Sequence, residues 1–146
     1  MSKIYHIIFI SILILLFFAC SSTTQMGKIY TPEEANRLFG NVIYSVNINS
    51  NVILELLKKT EKIIMFGLIN RELVILDNHR NVIYPEKAMI KDTDVFTAYS
   101  TDIVRELILN KESDNISVEQ RREVLSVSTQ SSTLETGSKC PPYCPE

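Results

Sequence analysis

The chain of 146 residues has no tryptophan, four glycines, five prolines and two histidines. So little glycine and proline excludes collagen-like and low-complexity classes. The three cysteines, Cys20, Cys140 and Cys144, all lie near the ends. A disulfide-dense small protein spreads its cysteines through its middle, so apolar burial must hold this core. There is also no surplus of one charge: 15 Lys and Arg face 17 Asp and Glu, a formal net of −2. That balance excludes a basic nucleic-acid surface and a highly charged disordered tail. No Gly-x-Ser-x-Gly, phosphate loop, dinucleotide fingerprint or His-Glu-x-x-His occurs in the chain.

What is present begins with an address. Of the first 19 residues, 15 are hydrophobic, and Lys3 is the only charge before position 28. The stretch from Ile7 to Ala19 is apolar except for Ser11. A positive start, about a dozen apolar residues and a small residue at the end describe a secretory signal peptide over 1–19. An uncleaved anchor is the alternative, but a membrane span needs about 20 apolar residues. The residues after 19 are about 40% hydrophobic, the level of a modest soluble core.

The string Leu16-Phe17-Phe18-Ala19-Cys20-Ser21-Ser22 resembles the lipobox of bacterial lipoproteins. Ala19 and Cys20 match its two most diagnostic positions, and Phe17 stands where leucine is usual. The resemblance implies that Cys20 carries a diacylglyceryl group on sulfur and, once 1–19 is removed, an acylated amine. Two or three acyl chains give stable anchoring, where one gives only marginal binding. It implies a cell-envelope protein, with Ser21 leaning towards the outer membrane.

In the mature chain, 20–28 reads as a flexible tether rich in Ser and Thr. A single domain is expected over 29–129. Thr31-Pro32-Glu33-Glu34 starts a short helix that Gly40 ends. Val42, Tyr44, Val46 and Ile48 alternate as in a strand, and Ser50 or Asn51 caps a helix with Val52, Ile53, Leu56 and Leu57 as its stripe. Ile63–Ile69, Glu72–Asp77 and Val82–Tyr84 form a three-stranded antiparallel meander, with a tight turn at Asn70-Arg71. Val95–Tyr99 is a strand, and Ser100 caps a helix striped by Ile103, Val104, Leu107 and Ile108. The two helix stripes recur at an offset of 51, each after a candidate strand, which would fit a duplicated β-α-β unit; the preferred reading is that any two amphipathic helices look alike, because only a Glu and a Leu are identical. Glu119–Glu123 favours helix and Val124–Thr129 favours strand. From Ser126 to Ser138, Ser and Thr dominate, so that stretch is either an edge hairpin or a disordered tail, and 130–146 is assigned as a Ser/Thr-rich tail. The fold class is therefore α+β, with two amphipathic helices on a small antiparallel sheet centred on the meander.

Cys140-Pro141-Pro142-Tyr143-Cys144-Pro145 is the most unusual local feature. In an exported protein with Cys20 acylated, two cysteines remain, and a disulfide between Cys140 and Cys144 is the leading expectation. Two thiols at this spacing could instead hold copper or zinc. The string resembles the Cys-Pro-x-x-Cys-Pro motif of Sco-type copper chaperones at Cys140, Pro141, Cys144 and Pro145. In that family a distant histidine joins both cysteines, whereas His79 is the only histidine after residue 19 here. His79 in its polar turn and the Asp92-x-Asp94 pair read as solvated links. Expected partners are the membrane, through the lipid, and an envelope protein, but not nucleic acid. No cofactor is expected, with copper ion as the alternative. No catalytic constellation stands out, so a non-enzymatic binding or scaffolding role leads, and a copper or thiol-redox accessory role through Cys140 and Cys144 follows.

Overall fold

The computed structural model describes residues 25–110, 114–141 and 143–144. The expected signal segment 1–19 and Cys20 lie outside the described residues. Along the chain come β1 (Lys28–Tyr30), α1 (Pro32–Phe39), β2 (Tyr44–Asn49), α2 (Ser50–Leu56) and β3 (Ile63–Ile69). Then follow β4 (Glu72–Leu76), β5 (Val82–Tyr84), β6 (Phe96–Ser100) and α3 (Thr101–Leu109). The last strands are β7 (Asn115–Gln120), β8 (Leu125–Ser128), β9 (Thr133–Glu135) and β10 (Ser138–Cys140).

Local chemistry sets the helix starts. Thr31 caps α1, its hydroxyl accepting the Glu34 N–H at 3.2 Å, and Pro32 follows at the first helical position. For α2 the cap is Asn49, not Ser50 or Asn51: its side chain accepts the Asn51 N–H at 2.9 Å. Ser100 does occupy the cap position of α3, but its hydroxyl accepts the Met26 N–H instead, at 2.8 Å. The Asn70-Arg71 turn joins β3 to β4 with both residues at positive φ, 53° and 68°. Neither is glycine, so the conformation needs outside support. Tyr44 supplies it: its hydroxyl donates to the Arg71 carbonyl at 2.8 Å, and the Arg71 guanidinium sits over its ring.

The architecture is α+β, with ten strands in two antiparallel sheets of five. One sheet runs β1-β9-β8-β7-β2, and the other runs β10-β6-β3-β4-β5. The expected meander is β3-β4-β5, in the second sheet. The first sheet is an addition to the expected picture. Its outward positions, such as Ser117, Ser126, Ser128 and Thr133, are polar, so its strands do not stand out as apolar runs. Residues 119 and 120 belong to β7, so Glu119–Glu123 is not helical.

The two halves repeat each other, well beyond the helix stripes. One unit is β2-α2-β3-β4-β5 and the other is β6-α3-β7-β8-β9. Each unit places its first strand beside the other unit's meander: β2 pairs with β7, and β6 pairs with β3. Registers correspond as well. Ile48 opposite Ile116 matches Tyr99 opposite Ile64, and Phe66 opposite Ile75 matches Val118 opposite Val127. Common amphipathic patterning alone would not produce matching registers.

One core joins the units. Ile53, Leu56 and Leu57 of the first helical segment meet Val104, Leu107 and Ile108 of the second, together with Ile64, Phe66, Ile116, Val118 and Leu134. A second, smaller core lies on the other face of β3, β4 and β6, through Ile63, Met65, Val74, Leu76, Phe96 and Ala98, and it ends on Cys140. Gly67 makes room there: a Cβ at this position would lie 2.6 Å from the Phe96 ring.

Both expected flexible ends are corrected. The tether boundary at 28 moves inward, since Met26 bonds to Ser100 and Lys28 opens β1. The tail expected from 130 instead forms β9 and β10, one strand for each sheet. Only residues 136 and 137 separate them, and Gly137 packs so closely on Thr97, Ala98 and Tyr99 that no side chain fits. Ser and Thr at alternate positions gave these strands too weak an apolar signal to read.

Gly67→Ala should lower stability by about 1–3 kcal/mol, because a core this close-packed accommodates an added methyl only with strain. Urea unfolding checks this, and in a Phe96→Leu background the same change should cost markedly less.

Candidate functional site

Two polar features interrupt the apolar packing. The first is the C-terminal strap. β10 pairs with β6 so that Cys140 lies opposite Phe96. The chain then turns, Tyr143 N–H donating to the Lys139 carbonyl at 3.0 Å and Ser138 hydroxyl to the Tyr143 carbonyl at 2.9 Å. This turn brings Cys144 back, and a disulfide joins it to Cys140. The two cysteines differ in surroundings: Cys140 is fully buried in the second core, whereas Cys144 and Tyr143 are exposed.

Arg80 fastens the strap. Its Nη1 donates to the Cys140 carbonyl and lies 3.2 Å from Cys140 Sγ and 4.0 Å from Cys144 Sγ. Its Nη2 reaches the Asp94 carbonyl at 3.5 Å, and the guanidinium stands over the Phe96 ring at 5.5 Å. Asp77 builds the turn that presents Arg80, accepting the N–H groups of His79 and Asn81 at 2.8 Å each. Sequence reading missed Arg80, because nothing in a polar turn shows which residue reaches 60 positions ahead.

His79 and the aspartates fall where a solvated role would put them. The His79 ring nitrogen Nε2 lies 3.0 Å from the Asn78 amide, in an exposed turn. Asp94 closes its own turn by accepting the Lys91 N–H at 2.8 Å, and Asp92 is exposed. Among the described residues, no group of three or more His, Cys, Asp or Glu gathers where it could hold a metal ion.

The second feature is a buried polar cluster on the outer face of the first sheet. Arg121, just past β7, is 2% exposed and is the largest fully buried side chain. Its Nη1 donates to Asn36 Oδ1 at 2.6 Å and to the Gly40 carbonyl at 2.7 Å, tying α1 to the sheet. Its Nη2 meets Glu119 at 2.9 Å, and its Nε meets Ser126 Oγ at 2.9 Å and Glu135 at 3.4 Å. Ser126 donates to Glu135 Oε1, and Ser128 donates to Glu119 at 2.8 Å. Among the described residues, Glu135 Oε2 is the one buried side-chain N or O atom without a hydrogen-bond partner.

Burial raises the Glu135 pKa above the usual carboxylate value, Ser126 and Arg121 oppose that shift, and Glu119 adds to it. Burial likewise pushes Tyr99 well up, with Glu135 adding to the effect, so its hydroxyl remains a donor, to the Leu125 carbonyl at 2.5 Å. The cluster has the layout of a structural pin. Glu119 and Arg121 alternate with Val118, as Ser126 and Ser128 do with Val127, which is the readable signature of a strand face in polar company.

Glu135 therefore holds its proton more tightly folded than unfolded, so its contribution to stability declines as pH rises from about 4.5 through the raised pKa. We expect Glu135→Gln to remove that decline in pH-dependent unfolding. We expect Arg121→Met to cost about 3–5 kcal/mol, because it strands two carboxylates, and to steepen the decline. No protein-family model matches the chain, and no curated protein or solved structure matches it either.

Proposed function

We propose that the chain is a lipid-anchored component of a bacterial cell envelope, with Cys20 as the acylated first residue of the mature protein. In this reading the domain binds or scaffolds an envelope protein. One observation carries the proposal: an apolar run behind Lys3 ends in Leu16-Phe17-Phe18-Ala19-Cys20. Cleavage after Ala19 for a soluble product would put bulky Phe17 where a small residue is needed, so acylation at Cys20 is the better account.

Several features of the domain support it. Among the described residues, no helix is long and apolar enough to cross a membrane. Six residues lead from Cys20 to Met26, and a chain of that length spans at most about 22 Å. The Ser100 end of the domain, where Met26 is bonded, would therefore stand close to the bilayer. Between positions 38 and 43, Leu38, Val42 and Ile43 expose apolar side chains, Ile43 at 71%. Exposed apolar side chains of this kind suit a protein partner. The outer membrane is favoured over the inner on Ser21 alone.

The alternative role, a copper or thiol-redox accessory through Cys140 and Cys144, turns on Arg80. Either chemistry needs the sulfurs as thiolates, and the guanidinium 3.2 Å from Cys140 Sγ favours that form.

Globomycin, which blocks lipoprotein signal cleavage, should cause the precursor to accumulate, as should Cys20→Ala. Metabolic labelling with a fatty acid should mark the wild type and not the variant. Unchanged processing together with no label would refute the anchor.

A further inference from the structure

We propose that Cys140–Cys144 is a thiol-exchange site, at which an incoming thiolate attacks Cys144 and Cys140 departs as a thiolate held by Arg80. The inference concerns the folded domain and stands whether or not Cys20 is acylated. It rests on the asymmetry of the strap. Cys144 is exposed and open to a nucleophile, whereas Cys140 is fully buried among Met65, Leu76 and Phe96. Attack on one sulfur of a disulfide expels the other, and exchange is faster when the expelled thiol has a lower pKa. Apolar burial raises that pKa and a neighbouring cation opposes the rise: Arg80 Nη1 lies 3.2 Å from Cys140 Sγ against 4.0 Å from Cys144 Sγ. The positive charge therefore sits closer to the sulfur that would receive the electron pair.

Arg80 is fixed in that place. The Cys140 and Asp94 carbonyls accept from it, and Phe96 lies under its guanidinium. No carboxylate is paired with it in a salt bridge among the described residues. Asp94 offers only its carbonyl, while its carboxylate accepts the Lys91 N–H. Among the described residues no carboxylate neutralises Arg80, so its charge can balance an emerging anion.

The step balances as follows. A thiolate forms a bond to Cys144 Sγ, the Cys140–Cys144 bond breaks, and its electron pair stays on Cys140 as a thiolate. The product is a mixed disulfide on Cys144. A second thiolate then attacks the donor sulfur and releases Cys144 as a thiolate. The donor leaves as a disulfide, oxidised by two electrons, and the strap is reduced by two.

The test uses the full chain, exported, oxidised and solubilised in detergent. Glutathione is added, free thiols are trapped with an alkylating agent, and peptide masses locate each adduct. We expect glutathione on Cys144 and the alkylated thiol on Cys140. Arg80→Met should slow the reaction on the order of threefold to tenfold, and Arg80→Lys should recover much of the rate. If Arg80 served only to clamp the strap, its loss would loosen Cys140 and speed reduction. Glutathione on Cys140, no reaction, or an Arg80→Met rate equal to or above wild type would each overturn the proposal. A Cys140→Ser chain exported in cells separates the possible donors: a glutathione-sized adduct on Cys144 marks a small thiol and a protein-sized adduct a partner's cysteine, while a bare thiol counts against exchange.

Discussion

The exchange of first strands between the two halves is the constraint on which everything else depends. β2 leaves its own meander to pair with β7, and β6 leaves its own to pair with β3. Each helix follows its exchanged strand directly, so both apolar stripes are delivered into the same space. Neither half can complete its sheet or bury its helix alone. The cost of ordering each chain segment is offset only when both sets of apolar side chains leave water together. The interlock also explains why the chain ends turn inward. β1 extends the sheet beside β9, β10 extends the other beside β6, and the short 136–137 link can switch sheets because both edges stand close together at Tyr99.

The interlock leaves one outer face of each sheet to be covered, and the two coverings differ in chemistry. On the first sheet, α1 lies over a polar face, and Arg121 gathers two carboxylates, a serine and a helix-end carbonyl beneath it. A buried guanidinium with so many partners specifies how α1 docks, at the expense of placing Glu135 where ionisation is disfavoured. On the second sheet, the covering is apolar and is closed by the strap, with Arg80 at its rim. One arginine is wholly enclosed and serves the fold. The other stands beside an accessible disulfide with no carboxylate paired to it among the described residues.

How much could be read beforehand depended on how apolar each strand was. The meander was legible because Ile63–Ile69 and Leu73–Leu76 are nearly continuous apolar runs. The stripes of α2 and α3 were legible from their spacing. Of the first sheet only β2 and β8 were legible, because Ser117, Ser126, Ser128 and Thr133 dilute its strands. The repeat was visible only as two similar stripes, since its proof lies in register, which a sequence does not print. Cys140 and Cys144 stood out by type and spacing. Arg80 could not, because its contact with them crosses 60 residues of chain.

The proposed anchor, the interlocked core and the strap give a coherent physical picture. A lipid at Cys20 would fix one end of the domain near a bilayer, and the strap would present Cys144 to the surrounding space. All of this presumes that the two halves form one cooperative body. Native-state hydrogen exchange tests that most directly, by following amides of β3 in one half and β7 in the other across low urea concentrations. The account predicts that the slowest amides of both strands exchange through one shared opening, with the same free energy and the same urea dependence. Distinct opening energies, with β3 or β7 exchanging while the other stays protected, would contradict it.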